Sequence, residues 1–151
     1  MKFSCDKAVL SAAVSNVSRA VTTRTALQAL EGILIRAEGD TLTLTGYDLE
    51  LGITTVIPAA VSEEGSIILG ARLFGEMIRK LEGGEVFVAS DDKLLTEIRG
   101  GGAEFTILGM DAADYPELPG LGDAESLTLP QHALKSMIEQ PQFAISQNDT
   151  K

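Results

Sequence analysis

The chain begins again before it ends. Phe3 to Val21 (FSCDKAVLSAAVSNVSRAV) is echoed 124 residues later by Leu127 to Ile145 (LTLPQHALKSMIEQPQFAI). Apolar positions pair throughout: Phe3 with Leu127, Cys5 with Leu129, Val9 with Ala133, Leu10 with Leu134, Ala13 with Met137, Val14 with Ile138, Ala20 with Ala144 and Val21 with Ile145. Ser4 and Thr128 repeat a hydroxyl. Each copy reads as a short strand, a helix start and an amphipathic helix. Identities are few, and two amphipathic helices can resemble each other by chance, but the long run of paired positions favours repetition. An offset of this size is one domain length. The expected organisation is one complete module, residues 1–120, then a linker and the first elements of a second, residues 121–151. The second copy has no strands after it in this chain to cover its helix. The functional unit is therefore expected to be larger than the chain, and internal repetition points to an array or a ring.

A hydrophobic content of 44% is enough for a core. No apolar run approaches the ~20 residues of a membrane-spanning helix, and no charged-then-apolar leader opens the chain. Cys5 is the single cysteine, so the chain holds no disulfide framework. It lies on the apolar side of an alternating strand and reads as a small core residue. A reducing cytoplasm and no membrane association are expected.

The net charge of −10 argues at first sight against nucleic acid. Its distribution argues otherwise. Met1 to Leu30 carries Lys2, Lys7, Arg19 and Arg24 against Asp6 alone, and Ala71 to Leu81 carries Arg72, Arg79 and Lys80 against Glu76. Glu31 to Gly70 has Arg36 as its only base, and from Glu82 to Leu129 only Lys93 and Arg99 face eleven acids. The positive segments coincide mainly with expected helices, the negative ones with strands and loops. A body with a basic helical face and an acidic sheet face offers phosphate contacts on one side and resists indiscriminate sticking on the other. Ordinary solvated faces are the rival account.

Met1–Cys5 alternates as a short strand, and Asp6 suits a helix N-cap. Val9, Leu10, Ala13, Val14, Val17 and Val21 form an apolar stripe, giving a helix over about Lys7 to Ala20. Strands are expected over 32–37, 41–45, 51–56 and 67–69, with Glu38–Thr41 and the acidic Ser62–Ser66 as turns. Leu73, Phe74, Met77, Ile78 and Leu81 make a second helix over 71–81, ended by Gly83-Gly84. Three further strands follow around Val86 and Val88, Leu94–Ile98, and Phe105 and Ile107. Asp111–Asp123, with two prolines and no period, reads as a linker. The fold class is α+β: an antiparallel sheet with two helices packed on one face to bury their stripes.

Catalytic chemistry is hard to find. His132 is the only histidine, which removes a Ser-His-Asp arrangement and most zinc sites. Asp48 and Glu50 share a strand face as a carboxylate pair, but no third ligand lies nearby. Gly100-Gly101-Gly102 lacks the lysine and following helix of a phosphate loop. With 5% aromatics and no tryptophan, a base-stacking platform is not expected. No catalytic residue, metal or cofactor is assigned, and a non-catalytic binding scaffold remains.

Several segments, in order, carry a resemblance that spans the whole chain. MKFSCDKAVLSAAVSNV at the start, Thr45-Gly46-Tyr47-Asp48-Leu49-Glu50-Leu51, Gly70-Ala71-Arg72-Leu73-Phe74, Ala113-Asp114-Tyr115-Pro116-Glu117-Leu118-Pro119 and Gln142–Asp149 are similar to segments of the bacterial DNA polymerase III β subunits, the β sliding clamps. The family has three such domains; this chain holds the first and a fragment of the next. The resemblance implies a DNA-clamp fold in which two subunits close head to tail into a six-domain ring, helices inside and sheets outside. It implies a processivity factor, not an enzyme, that encircles duplex DNA and serves the DNA-directed DNA polymerase III. Its partners would be duplex DNA, a second clamp subunit, the ATP-driven clamp loader and the polymerase. A ring held by topology needs only weak phosphate contacts, and no base readout is expected.

Carried over by resemblance, Arg24 matches a DNA-contacting arginine after the first helix, and Gln147 and Asn148 fall in the second domain's DNA-contacting loop. Arg72, Arg79 and Lys80 join them from charge and helix placement. Phe105 and Ile107 match apolar residues at the first domain's edge, where the family meets the other subunit. The core of an edge strand is an equal alternative for them. Gly101, Gly102, Ala103 and Glu104 stand where the family often has basic residues, which weakens any charge contribution there. The family's pocket for partner peptides, between its second and third domains, is not contained in this chain. By itself, the chain is not expected to close a ring. Two other classes stay open: a stand-alone module that binds clamp subunits without encircling DNA, and an enzyme using Asp48 and Glu50.

Overall fold

In the computed structural model, which describes residues 1–23, 25–120 and 127–145, Lys2–Asp6 forms strand β1. Phe3 and Cys5 turn inward and Lys2 and Asp6 outward, as the alternation requires. Asp6 then ends the strand and starts the helix: its backbone is extended, and its Oδ1 accepts the Val9 N–H at 2.9 Å. Helix α1 (Lys7–Val17) buries Leu10, Ala13, Val14 and Val17. Val9, on the margin of the expected stripe, stays 38% exposed.

The chain continues through β2 (Gly32–Glu38), β3 (Thr41–Tyr47), β4 (Gly52–Pro58), β5 (Ala60–Glu63) and β6 (Gly65–Gly70) into helix α2 (Ala71–Lys80). Three strands follow: β7 (Glu85–Ser90), β8 (Leu95–Gly100) and β9 (Ala103–Leu108). Strand β5 falls partly on residues expected to be an acidic turn. It is short, mostly exposed and paired only to β1, so it carries no apolar alternation for a pattern to detect. Between β8 and β9, Gly101 and Gly102 take φ of +55° and +83°. A Cβ on Gly101 would stand 2.2 Å from the Glu82 carbonyl oxygen, so the glycine run is a tight hairpin turn against a neighbouring loop.

The α+β class holds, and the strands divide into two antiparallel sheets. One has five strands in the order β5-β1-β7-β8-β9, the other four in the order β4-β3-β2-β6. Both sheets and both helices feed one core. Phe3, Val86, Val88 and Ile98 come from the first sheet, Ile33, Ile35, Leu42, Leu44, Ile67 and Leu69 from the second, and Leu10, Val14, Phe74 and Ile78 from the helices. Helix α1 packs on β3 and β4, and α2 on β2 and β6. The helices lie side by side and antiparallel. At one end Lys7 Nζ donates to the Leu81 carbonyl, just past α2; in the middle Gly75 of α2 sits beside Val14 of α1.

A smaller core covers the other face of the four-stranded sheet. Ala29, Leu30, Leu34, Tyr47, Ile68 and Tyr115 are buried together there, with Met110, Ala112 and Leu118 against them. This is why β2 is buried at four consecutive positions, since both of its faces are covered. Residues 109–118 form the cover. Ile68 and Met110 exchange backbone hydrogen bonds of 3.0 and 2.9 Å, the Tyr115 hydroxyl donates to the Thr45 carbonyl at 3.3 Å, and Leu118 lies on Gly52. The first half of the expected linker is thus packed structure. Burial pushes the Tyr115 hydroxyl up to about 12.

The residues fall into two compact units, Met1–Leu118 and Pro119–Lys151. In the second, helix α3 (Gln131–Gln142) buries none of its residues. Its start, Gln131, lies at the repeat offset from Lys7, where α1 starts. Leu127–Pro130 forms no strand, since the described residues of this unit hold no second strand to pair with it.

Candidate nucleic-acid and subunit interfaces

Side-chain commitments thin out the basic residues counted along the sequence. Lys2, on β1, pairs with Glu63 at 2.9 Å. This hydrogen bond raises the Lys2 ammonium and lowers the Glu63 carboxyl from their ordinary ranges. Lys7 is spent on the Leu81 carbonyl at the end of α2, where a cation offsets the negative pole of the helix. Arg19 remains exposed just beyond α1. The outward positions of α1 are Ala8, Val9, Ala12, Ser15 and Asn16, small or neutral and without an acid.

Helix α2 supplies the rest. Each helical residue is turned by about 100° from the last, so Arg72 and Arg79 share one flank. Gly75, on that same flank, contacts α1, which puts the arginines on the α1 side of α2. The structure brings both to one cleft, with Ser18, Thr23, Gln28 and Glu31 on the facing wall. Arg72 lies 3.7 Å from Glu76 one turn on, with its side chain 80% exposed. Such a pair is worth a few tenths of a kcal/mol at most, so Arg72 can exchange it for a phosphate. Lys80 is exposed at the end of α2 and does not line the cleft. Arg24, Gln147 and Asn148 lie outside the described residues.

Phe105 and Ile107 sit on β9, the outermost strand of the five-stranded sheet. They turn to its inner face and pack against the main core, yet stay only half-buried because, among the described residues, no strand lies beyond them. The edge is open on its far side, the arrangement that accepts another strand. Leu108 next to them is 71% exposed. On the neighbouring strand, Arg99 is bonded to Glu97 two residues back on β8 and, across the strand pair at 3.3 Å, to Glu104.

Two exposed apolar residues escaped the sequence reading. Leu73 was expected in the core stripe of the second helix and is instead 49% exposed; the stripe is Phe74, Ile78 and Leu81. Leu108, to which the sequence gives no role, ends β9. Both line the cleft that holds Arg72 and Arg79. Periodicity places Leu73 only 100° from Phe74, and that angle does not say on which side the core ends.

The catalytic alternative loses its carboxylate pair. Asp48 Oδ1 accepts the Leu51 and Glu50 N–H groups at 2.6 and 3.0 Å, closing the turn between β3 and β4. These bonds hold its carboxyl below the usual range. Cys5 is buried, and burial, with Asp6 and Glu85 nearby, pushes its thiol up to about 12, well above any nucleophile at neutral pH. Among the described residues no three metal-ligating side chains cluster, and no helix is long and apolar enough to cross a membrane.

Comparison with known proteins locates this geometry. Residues 1–119 match the family model of the DNA polymerase III beta subunit, N-terminal domain. The chain is 38% identical to the beta sliding clamp of Halalkalibacterium halodurans and 36% identical to that of Bacillus subtilis, each over the whole of this chain and 42% of the relative. It thus spans about two-fifths of the length of the curated relatives it matches. Among solved structures, the Bacillus subtilis DNA polymerase sliding clamp superposes with a TM-score of 0.94 at 36% identity, covering 100% of this chain and 42% of that one. A DNA polymerase III beta subunit from Eubacterium rectale superposes at 0.92 with 40% identity, covering 100% and 41%.

Proposed function

Because the chain belongs to the DNA polymerase III beta subunit family, we propose that it is the first module of a sliding clamp, a non-catalytic processivity factor that encircles duplex DNA in the cytoplasm and tethers DNA polymerase III. The observation that carries this is the antiparallel helix pair. It gathers Arg72 and Arg79 at one cleft and leaves the face of α1 without an acid, while most acids lie on strands and loops. Duplex DNA lies along this face. Arg24, Arg72, Arg79 and Lys80, with Gln147 and Asn148 from the second module, meet phosphates weakly and without reading bases. A second clamp subunit meets the edge of β9 through Phe105 and Ile107. A clamp loader, driven by ATP, opens and closes the ring.

The test is binding of a fluorescent duplex to the 151-residue chain by anisotropy across a salt series. The expected result is weak binding without sequence preference that fades as salt rises. The double change Arg72→Ala with Arg79→Ala lowers the salt slope by about two. Binding unaffected by the double change, or retention on nicked circular DNA that is lost on linearisation, overturns this account of the isolated chain. The open edge of β9 favours one second reading, a module that occupies another clamp subunit's interface without encircling DNA. A pull-down with full-length clamp that fails at high concentration removes it.

A further inference from the structure

The outer face of the five-stranded sheet carries an aromatic ring that the core of this module does not use. Side chains alternate between the two faces of a strand. Val86 and Val88 of β7 enter the main core together with both helices, so Phe87 between them points the other way, and it stays half-buried. Its neighbours leave one side of the ring open. Across on β1 stands Ser4, and two residues on along β7 stands Ala89, both small. Arg99 stands across on β8, but its partners are Glu97 on its own strand and Glu104 on β9, neither of them toward β1. Phe87 thus lines an open hollow of about 470 Å³, with Ser4, Glu85, Arg99, Glu104 and the backbone of Gly100 and Gly102 around it. The charge on this face is lopsided. Asp6, Glu85, Glu97 and Glu104 share it with Arg99, and one guanidinium cannot neutralise four carboxylates. The next base, Lys2, is already paired with Glu63. Glu85, two residues before Phe87 on the same side, is exposed and has no ion pair among the described residues.

We propose that this face docks an arginine-bearing segment of a partner protein, with a guanidinium stacked on Phe87 and bonded to Glu85. The face of an aromatic ring attracts a cation, and the surplus of carboxylates selects a basic partner over an acidic one. A guanidinium suits the place better than an ammonium, because it is planar and lies flat on the ring while its N–H fork reaches a carboxylate. Nucleic acid does not suit it: the same carboxylates repel phosphates, so the ring is no platform for bases. The hollow has room for a side chain together with the backbone that carries it. Because this face points away from both helices, a partner seated here leaves the cleft of Arg72 and Arg79 free.

The test is fluorescence anisotropy of a labelled peptide of four arginines spaced by glycines, titrated with the 151-residue chain at about 50 mM NaCl beside its lysine and glutamate counterparts. The arginine peptide should bind about threefold tighter than the lysine peptide, and the glutamate peptide should not bind. Phe87→Leu keeps an apolar side chain and removes the ring. It should weaken the arginine peptide about threefold and erase its lead over lysine. Glu85→Gln should also weaken it about threefold, whereas Glu50→Gln, which removes the same charge from the turn between β3 and β4, should change it less than about 1.5-fold. Glu85 is exposed, so thermal melts should show this variant folded whatever Phe87→Leu does. Equal binding of the arginine and lysine peptides, or Glu85→Gln acting no more than Glu50→Gln, means diffuse attraction to an acidic body and overturns the proposal. So does a folded Phe87→Leu that binds unchanged. Spermine that competes as well as the arginine peptide, and is as sensitive to Phe87→Leu, makes the ligand a free polycation and overturns the protein partner. No binding of the arginine peptide overturns the site outright.

Discussion

Helices α1 and α3 start one repeat apart, at Lys7 and Gln131, and meet opposite fates. Helix α1 buries Leu10, Ala13, Val14 and Val17 against two strands; at the matching positions Leu134, Met137 and Ile138 are 47%, 62% and 57% exposed. Asp6 caps α1 through its carboxylate, whereas Pro130, at the same place before α3, has no side-chain bond to give. The apolar stripe is written in both copies, and what differs is the presence of a sheet to receive it. A helix of this length is marginal in water, and most of its stability comes from the face it packs.

The widest test of that contrast is a pair of truncations at matching positions. Leu10→Ala should cost about 2–5 kcal/mol in urea unfolding of the 151-residue chain, because Leu10 is fully buried. Leu134→Ala should stay within about 0.5 kcal/mol. Equal costs would mean that α3 has a hidden partner. A smaller effect probes how closely α1 is seated. A Cβ at Gly46 of β3 would fall 2.2 Å from the Val17 carbonyl oxygen, so Gly46→Ala should cost about 1–3 kcal/mol by forcing the end of α1 off the sheet. A melting temperature unchanged by this substitution would mean a looser seat. Smallest is the cap: Asp6→Ala should cost about 1 kcal/mol, and Pro130→Asp should raise the helical circular dichroism of the second unit if capping limits α3. No gain there would leave the missing sheet as the whole difference.

Much of this was legible in the residues. Alternation found β1 and the hairpin of β2 and β3, and the stripe of α1 named its buried side chains. Three things were not. Strand β5 turns only Val61 toward the core, because it is short and lies at an edge. Leu34 looked like the polar-side position of an alternating strand, since the cover that buries it, 109–118, is rich in turn-formers and passes for a linker. The division into two sheets depends on which strands pair at long range, and periodicity records only which side of a strand is apolar. Charge along the sequence counts Lys2 and Lys7 with the free bases, yet their partners Glu63 and Leu81 are distant in the chain, while Arg72 and Arg79 stay exposed on one flank of α2. Leu73 was misplaced for a related reason: a helical stripe has margins, and only the neighbours decide which margin is wet.

The antiparallel setting of α1 and α2 has a mechanical meaning under the proposed clamp function. Lys7 brings the positive pole of α1 to the negative pole of α2, and Ser18 with Ala71 lines the cleft at the other end of the pair. The two macrodipoles oppose, and their fields largely cancel at a distance. In that proposal, a row of phosphates crossing this face would meet no strong helix end to lodge against, only exposed arginine side chains. The corrugation of the potential along the DNA axis would then be shallow, and so would the friction of each base-pair step.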